Sequence, residues 1–192
     1  MYHLLLVSYL ALFGSVIALS DVNQQCIAEN SEAWSNDNLI GTWYKMWKFT
    51  LFGGMVDSWS CAELNFTRPT ADILQEYKNK YNDPDLPYNM DDNPVLVNDG
   101  YTVDGLVFGH NIAKFYVLTP NTTALLNWDG YAVDAYRLLS PKYIMYTQCA
   151  LRGHTRWLLS NDRFAPVAEM QDLIKNNAVL NHLDGQRYCA TY

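Results

Sequence analysis

The stretch YAVDAYRLLSPKYIMYTQCALRGHTRWLLS, residues 131–160, decides the fold. It holds three strand-like runs, Tyr131–Leu139, Tyr143–Cys149 and His154–Ser160, rich in Tyr, Val, Ile, Trp and Thr. Such side chains suit a pleated, half-buried surface. Ser140-Pro141-Lys142 and Arg152-Gly153 break the runs apart. Upstream the pattern repeats in Thr42–Phe49, Ser60–Thr67, Asp72–Tyr81, Tyr101–Phe108 and Lys114–Thr119. Arg68-Pro69, Gly109-His110-Asn111, Pro120-Asn121 and Asp129-Gly130 punctuate it. The spacing therefore predicts eight strands. Asn82–Gly100, with three prolines, reads as a long surface loop. The polar residues 21–38 read as an irregular arm pinned by Cys26, and Phe52-Gly53-Gly54-Met55-Val56 as a flexible apolar loop. Over 166–177 the period changes. Val167, Met170 and Ile174 fall on one helical face with Leu173 beside it, and Pro166 suits a first turn. Eight short strands without alternating helices, then one late helix, indicate an all-β antiparallel sheet, closed as a barrel or packed as a sandwich. Periodicity does not choose between them.

Composition narrows the class. The 192 residues are 49% hydrophobic and 14% aromatic, too apolar for a disordered chain. The net charge of -7 argues against nucleic acid or an anionic membrane as partner. Residues 1–20 carry no Asp, Glu, Lys or Arg, are mostly apolar, and end in Ala18-Leu19-Ser20, the small residues that a signal peptidase reads. A secreted single domain over 21–192 is expected. No second apolar run reaches membrane-spanning length. Cys26, Cys61, Cys149 and Cys189, an even number behind a leader, read as two disulfides with three possible connectivities. Asn65-Phe66-Thr67 and Asn121-Thr122-Thr123 are glycosylation sequons.

Asn38-Leu39-Ile40-Gly41-Thr42-Trp43-Tyr44 resembles the first motif of the lipocalins, a Gly-x-Trp entering the first strand. Tyr143–Cys149 and Trp157-Leu158-Leu159-Ser160 resemble that family's seventh and eighth strands, and all four cysteines sit where its retinol-binding and apolipoprotein D-like branch, with many arthropod members, places them. The resemblance implies an eight-stranded up-and-down β-barrel with one C-terminal helix packed outside, and bridges Cys26–Cys149 and Cys61–Cys189. Two motifs depart from the family. The second falls on Leu138-Leu139-Ser140, and the third has Asn161 where the family has Arg. Arg163, two residues on, is expected to stack on Trp43 instead.

The implied activity is carriage of a small hydrophobic ligand, such as a retinoid, bilin, carotenoid or fatty acid, with no enzymatic step and no required cofactor or metal. Phased by the resemblance, the inward set comprises Phe115, Val117, Val133, Ala135, Ile144, Tyr146, Trp157 and Leu159. Trp43 forms the floor and Phe52 and Met55 part of a lid. Two other classes compete: an interaction or inhibitor lipocalin with a filled cavity, and a lipocalin-fold enzyme of the de-epoxidase or isomerase type with Asp104 or Asp134 in the barrel. Each aspartate alternates with apolar neighbours and reads more simply as outward. His110 reads as a turn histidine rather than a haem ligand. Asp91-Asp92-Asn93 lacks the spaced ligands and Gly of a calcium loop and reads as solvated.

Overall fold

A computed structural model describes residues 21–30, 35–50, 61–80, 89–98, 105–109, 114–118, 133–149 and 155–189. Among them the strands are β1 (Gly41–Thr50), β2 (Glu63–Thr67), β3 (Val95–Asn98), β4 (Gly105–Phe108), β5 (Lys114–Leu118), β6 (Val133–Ser140), β7 (Tyr143–Gln148), β8 (Thr155–Ser160) and β9 (Gly185–Arg187). The helices are α1 (Asp21–Asn30), α2 (Ala71–Lys80) and α3 (Val167–Asn176). No described helix is long and apolar enough to cross a membrane.

The strands form one curled antiparallel sheet in the order β2-β3-β4-β5-β6-β7-β8-β1-β9. One edge of β1 carries β8, from Tyr44↔Ser160 to Thr50↔Thr155. Its other edge carries β2 over Gly41–Tyr44 and then β9 over Trp47–Phe49. Bulges interrupt β1 between Lys45 and Trp47 and β6 between Leu138 and Ser140. Disulfides join Cys26 to Cys149 and Cys61 to Cys189, the pairing implied by the resemblance.

Side chains segregate by strand parity. Trp43, Leu64, Phe66, Val95, Val107, Tyr136, Ile144, Tyr146, Trp157 and Leu159 converge from seven strands into one buried cluster, the inner face. The alternate residues point outward into two further clusters. Leu96, Leu106, Phe108 and Ala135 pack with Cys26, with Tyr77 and with the flanking Ile73 and Leu74 of α2. Met46, Phe49, Tyr143, Met145 and Leu158 pack with Met170 of α3 and its neighbours Val167, Leu173 and Ile174. Each fully buried aromatic or aliphatic side chain contributes about 1.5–3 kcal/mol to folding.

Three expectations are corrected. Asp72–Tyr81 is not a strand, because Ala71–Lys80 is α2. Thr70 caps it, accepting at Oγ1 from the Ile73 N–H, and Ile73, Leu74 and Tyr77 recur at helical spacing on the packed side. The missing strand lies instead in the expected loop 82–100, where Pro94 precedes β3 and its Val95-Leu96-Val97 run. The arm 21–38 is not irregular, holding α1 and a 3-10 turn at Asn36–Leu39. Asn30 secures α1, donating from Nδ2 to the Cys26 carbonyl at 2.7 Å and accepting the Thr147 hydroxyl at 3.5 Å.

Candidate ligand-binding face

The inner face starts where β1 begins. Gly41 has φ +124°, a conformation that side chains resist, and it turns the 3-10 segment into β1. The turn lays Leu39 on Trp43, whose Nε1–H donates to the Leu39 carbonyl at 2.9 Å. Arg68 braces the same end from outside. It donates to the Pro94 carbonyl at 2.9 Å and pairs with Asp37. The guanidinium, then the Ser35 hydroxyl, hold the Asp37 carboxyl below its ordinary pKa. Asn36 Nδ2 donates to the Asn93 carbonyl at 2.7 Å and ties in the turn before β3.

Above Trp43 the face is aromatic. Phe66 meets Tyr136 edge-on at 6.0 Å, and Tyr136 stacks on Tyr146 at 4.9 Å. Tyr146 pairs with Trp157 in the ladder, and Trp157 meets Tyr188 edge-on at 4.8 Å. The Tyr146 hydroxyl accepts from Gln148 Nε2 at 3.1 Å. Lys45 and Lys48 lie over the Trp157 ring.

Of the expected ligand residues, Trp43, Ile144, Tyr146, Trp157 and Leu159 meet on this face. Ala135 does not. It is fully buried in the outward cluster with Leu106 and Phe108, and Tyr136 takes the inner position. The β6 bulge is the cause. Counted back from Ser140 without the extra residue, Ala135 falls inside; with it, Leu138 pairs with Ile144 and Tyr136 with Tyr146. Val133 pairs with Tyr116, and Phe115 with Asp134. Val117 pairs with the inner-face residue Val107. Phe52 and Met55 lie outside the described residues, as do His110, Asp104 and Asn121. Asn65 is exposed on β2.

Leu64, Phe66, Val107, Tyr136, Lys45 and Lys48 are the residues that sequence reasoning missed. The alternation in Glu63–Thr67 carries the first two legibly. The lysines were hidden by the β1 bulge.

Arg163 is exposed, and the expected stack on Trp43 is absent. Among the described residues the cations over an indole are Lys45 and Lys48, on Trp157. Asp91 is engaged by Lys78, whose Nζ lies 2.6 and 2.7 Å from its two oxygens.

A groove of about 490 Å³ opens on the outer side between β6 and α3, lined by Arg137, Glu169, Asp172 and Asn176 among others. No expected ligand residue lines it. Beside it the buried Tyr143 hydroxyl lies near the Glu169 carboxylate without a hydrogen bond of good geometry. Burial, then the nearby Glu169 carboxylate, pushes its pKa up to about 12. Tyr143→Phe removes a buried hydroxyl without a well-formed partner and should change stability by no more than about 1 kcal/mol at neutral pH. Below pH 10 the native and unfolded chains both keep this proton. As pH rises from 10 toward 12, only the unfolded chain releases it, and stability falls. The variant should lose that part of the alkaline decline, which urea melts at neutral and alkaline pH measure directly.

No protein-family model and no curated protein matches the chain.

Proposed function

We propose that this chain is a secreted, lipocalin-like carrier whose β1–β8 sheet closes as an eight-stranded barrel with α3 outside, and which binds a small hydrophobic molecule without transforming it. One observation carries the reading: aromatic side chains from several strands converge on one face of a curled sheet. The return of pairing to β1 from both β8 and β2 supports closure. An eight-stranded barrel has room for one small ligand, and few polar groups suffice to orient it. Burial of ligand surface supplies the drive, roughly 25 cal/mol per Å² before ordering costs.

A retinoid-like polyene titrated into the protein should quench tryptophan emission. Trp157→Phe should reduce the quench while leaving affinity within about threefold, because Phe keeps most of the apolar contact. Failure of every apolar probe to bind would favour the interaction-protein reading. The stack of Tyr136 on Tyr146 is the observation on its side, since two buried rings packed on one another occupy space on the inner face.

A further inference from the structure

Asn65-Phe66-Thr67 on β2 is a sequon that the carrier reading leaves unused. Strand parity splits the triplet. Phe66 points inward and is fully buried, while Glu63, Asn65 and Thr67 are exposed on the outward side. Asn65 pairs with Thr42 of β1 and with Asn98 of β3, so a neighbouring strand holds it on either side. Leu96, the β3 partner of Thr67, is buried in the cluster that α2 covers. One strand over, Asn65 and Thr67 face solvent. A large group on Asn65 would therefore stand clear of the ladder and of the inner face.

An Asn amide two residues before a Thr is an acceptor for oligosaccharide in the secretory route. Asn65 Nδ2 attacks the anomeric carbon of a lipid-linked oligosaccharyl pyrophosphate. A C–N bond forms and the C–O bond to pyrophosphate breaks. The amide gives up one proton, and the lipid pyrophosphate leaves. No oxidant or reductant enters. The fold also sets the timing. The transferring enzyme must grip Asn65, Phe66 and Thr67 together. In the folded chain Phe66 is at 0% exposure, and its backbone is flanked by Gly41 on one side and Val97 on the other. Transfer must therefore precede the pairing of β2 with β1 and β3.

We propose that Asn65 carries an N-linked glycan, added before β2 pairs and standing on the outward side of that strand. The proposal rests on the secreted reading and is independent of the ligand.

The test expresses the full chain in a eukaryotic secretory host with Asn121→Gln, which leaves one sequon. Protein from the medium is treated with a glycan-releasing amidase in heavy-oxygen water. Peptide mapping should find a heavy aspartate where Asn65 stood. Thr67→Ser should keep the modification, and Thr67→Ala and Asn65→Gln should abolish it. Asn65→Gln should bind an apolar probe within about twofold of the unmodified chain, because it points away from the inner face. A solubilised transferase supplied with the lipid-linked donor should modify the reduced, unfolded chain and leave the refolded, disulfide-bonded chain bare. Secreted protein without the heavy aspartate overturns the glycan and leaves secretion standing. A chain that neither reaches the medium nor carries the mark overturns both. Equal modification of folded and unfolded chains overturns the timing. Should a variant fail to fold, the peptide map of the chain with Asn65 and Thr67 intact still decides.

Discussion

Replacing Cys61 and Cys189 together by alanine should lower the melting temperature by about 8–16 °C. The bridge spans 128 residues and joins the entry to β2 to the residues just after β9. Closing a loop of that length restricts the unfolded chain by about 5 kcal/mol in the chain-entropy model. The loop overlaps the one closed by Cys26 and Cys149, so about 4 kcal/mol is the better expectation with that second bridge intact. Cys189 is also fully buried against Met46 and Phe49, and two alanines leave that contact looser. Differential scanning calorimetry without reductant measures the change. A drop below about 3 °C would mean that the unfolded chain is already compact without the bridge.

The second large effect belongs to Trp43. Trp43→Ala should destabilise by about 3–5 kcal/mol. The indole is only 4% exposed, sits where β1 enters the inner face, and donates to the Leu39 carbonyl. Alanine leaves a void and an orphaned acceptor. Trp43→Phe keeps most of the volume and should cost about 1–2 kcal/mol, much of it the lost hydrogen bond. Arg163→Ala serves as the contrast. Its exposure predicts a change within about 0.5 kcal/mol, where a side chain stacked on the indole would cost more. Urea melts of the three variants separate these contributions. Equal losses for Trp43→Ala and Arg163→Ala would contradict the arrangement described.

Seven of the eight expected runs coincide with strands, because period-2 alternation and turn residues are local signals. Asp72–Tyr81 departs from the expected strand, and its helical marks are in the sequence: Thr70 before it, Ile73, Leu74 and Tyr77 at helical spacing, Lys78 and Lys80 in the last turn. β3 escaped because Val95–Asn98 is four residues long amid Pro, Asp and Asn, too short for any period to show. α1 has almost no amphipathic contrast. A bridge and a buried asparagine hold it, and both partners lie far away in sequence. The inner face was half legible. Ile144, Tyr146, Trp157 and Leu159 follow strict alternation on the regular strands β7 and β8. Ala135 and Lys45 sit on strands whose bulges shift the phase by one, and tertiary pairing alone reveals a bulge. The Arg163 expectation failed for a related reason. The chain turns away after Ser160, with the Asp162 N–H on the Ser160 hydroxyl and the Phe164 N–H on Asp162 Oδ1, so strand parity stops there.

The twofold pairing of β1 has a kinetic consequence. Tyr44 finds its partner Ser160 only after 116 further residues (160 minus 44) have been made. At about 5–20 residues per second, that is roughly 6–23 seconds of synthesis. Throughout it β1 can pair with β2 alone, and only over Gly41–Tyr44. Met46, Trp47 and Phe49 wait on an unpaired edge, an invitation to other nascent chains. Lys45 and Lys48 flank those same residues, and charges on an unpaired edge deter such encounters. The strand made first is completed last. Folding should therefore be slow for a domain of this size, limited by bringing distant strands together, and its yield should depend on how crowded the chain's surroundings are while β1 stands half paired.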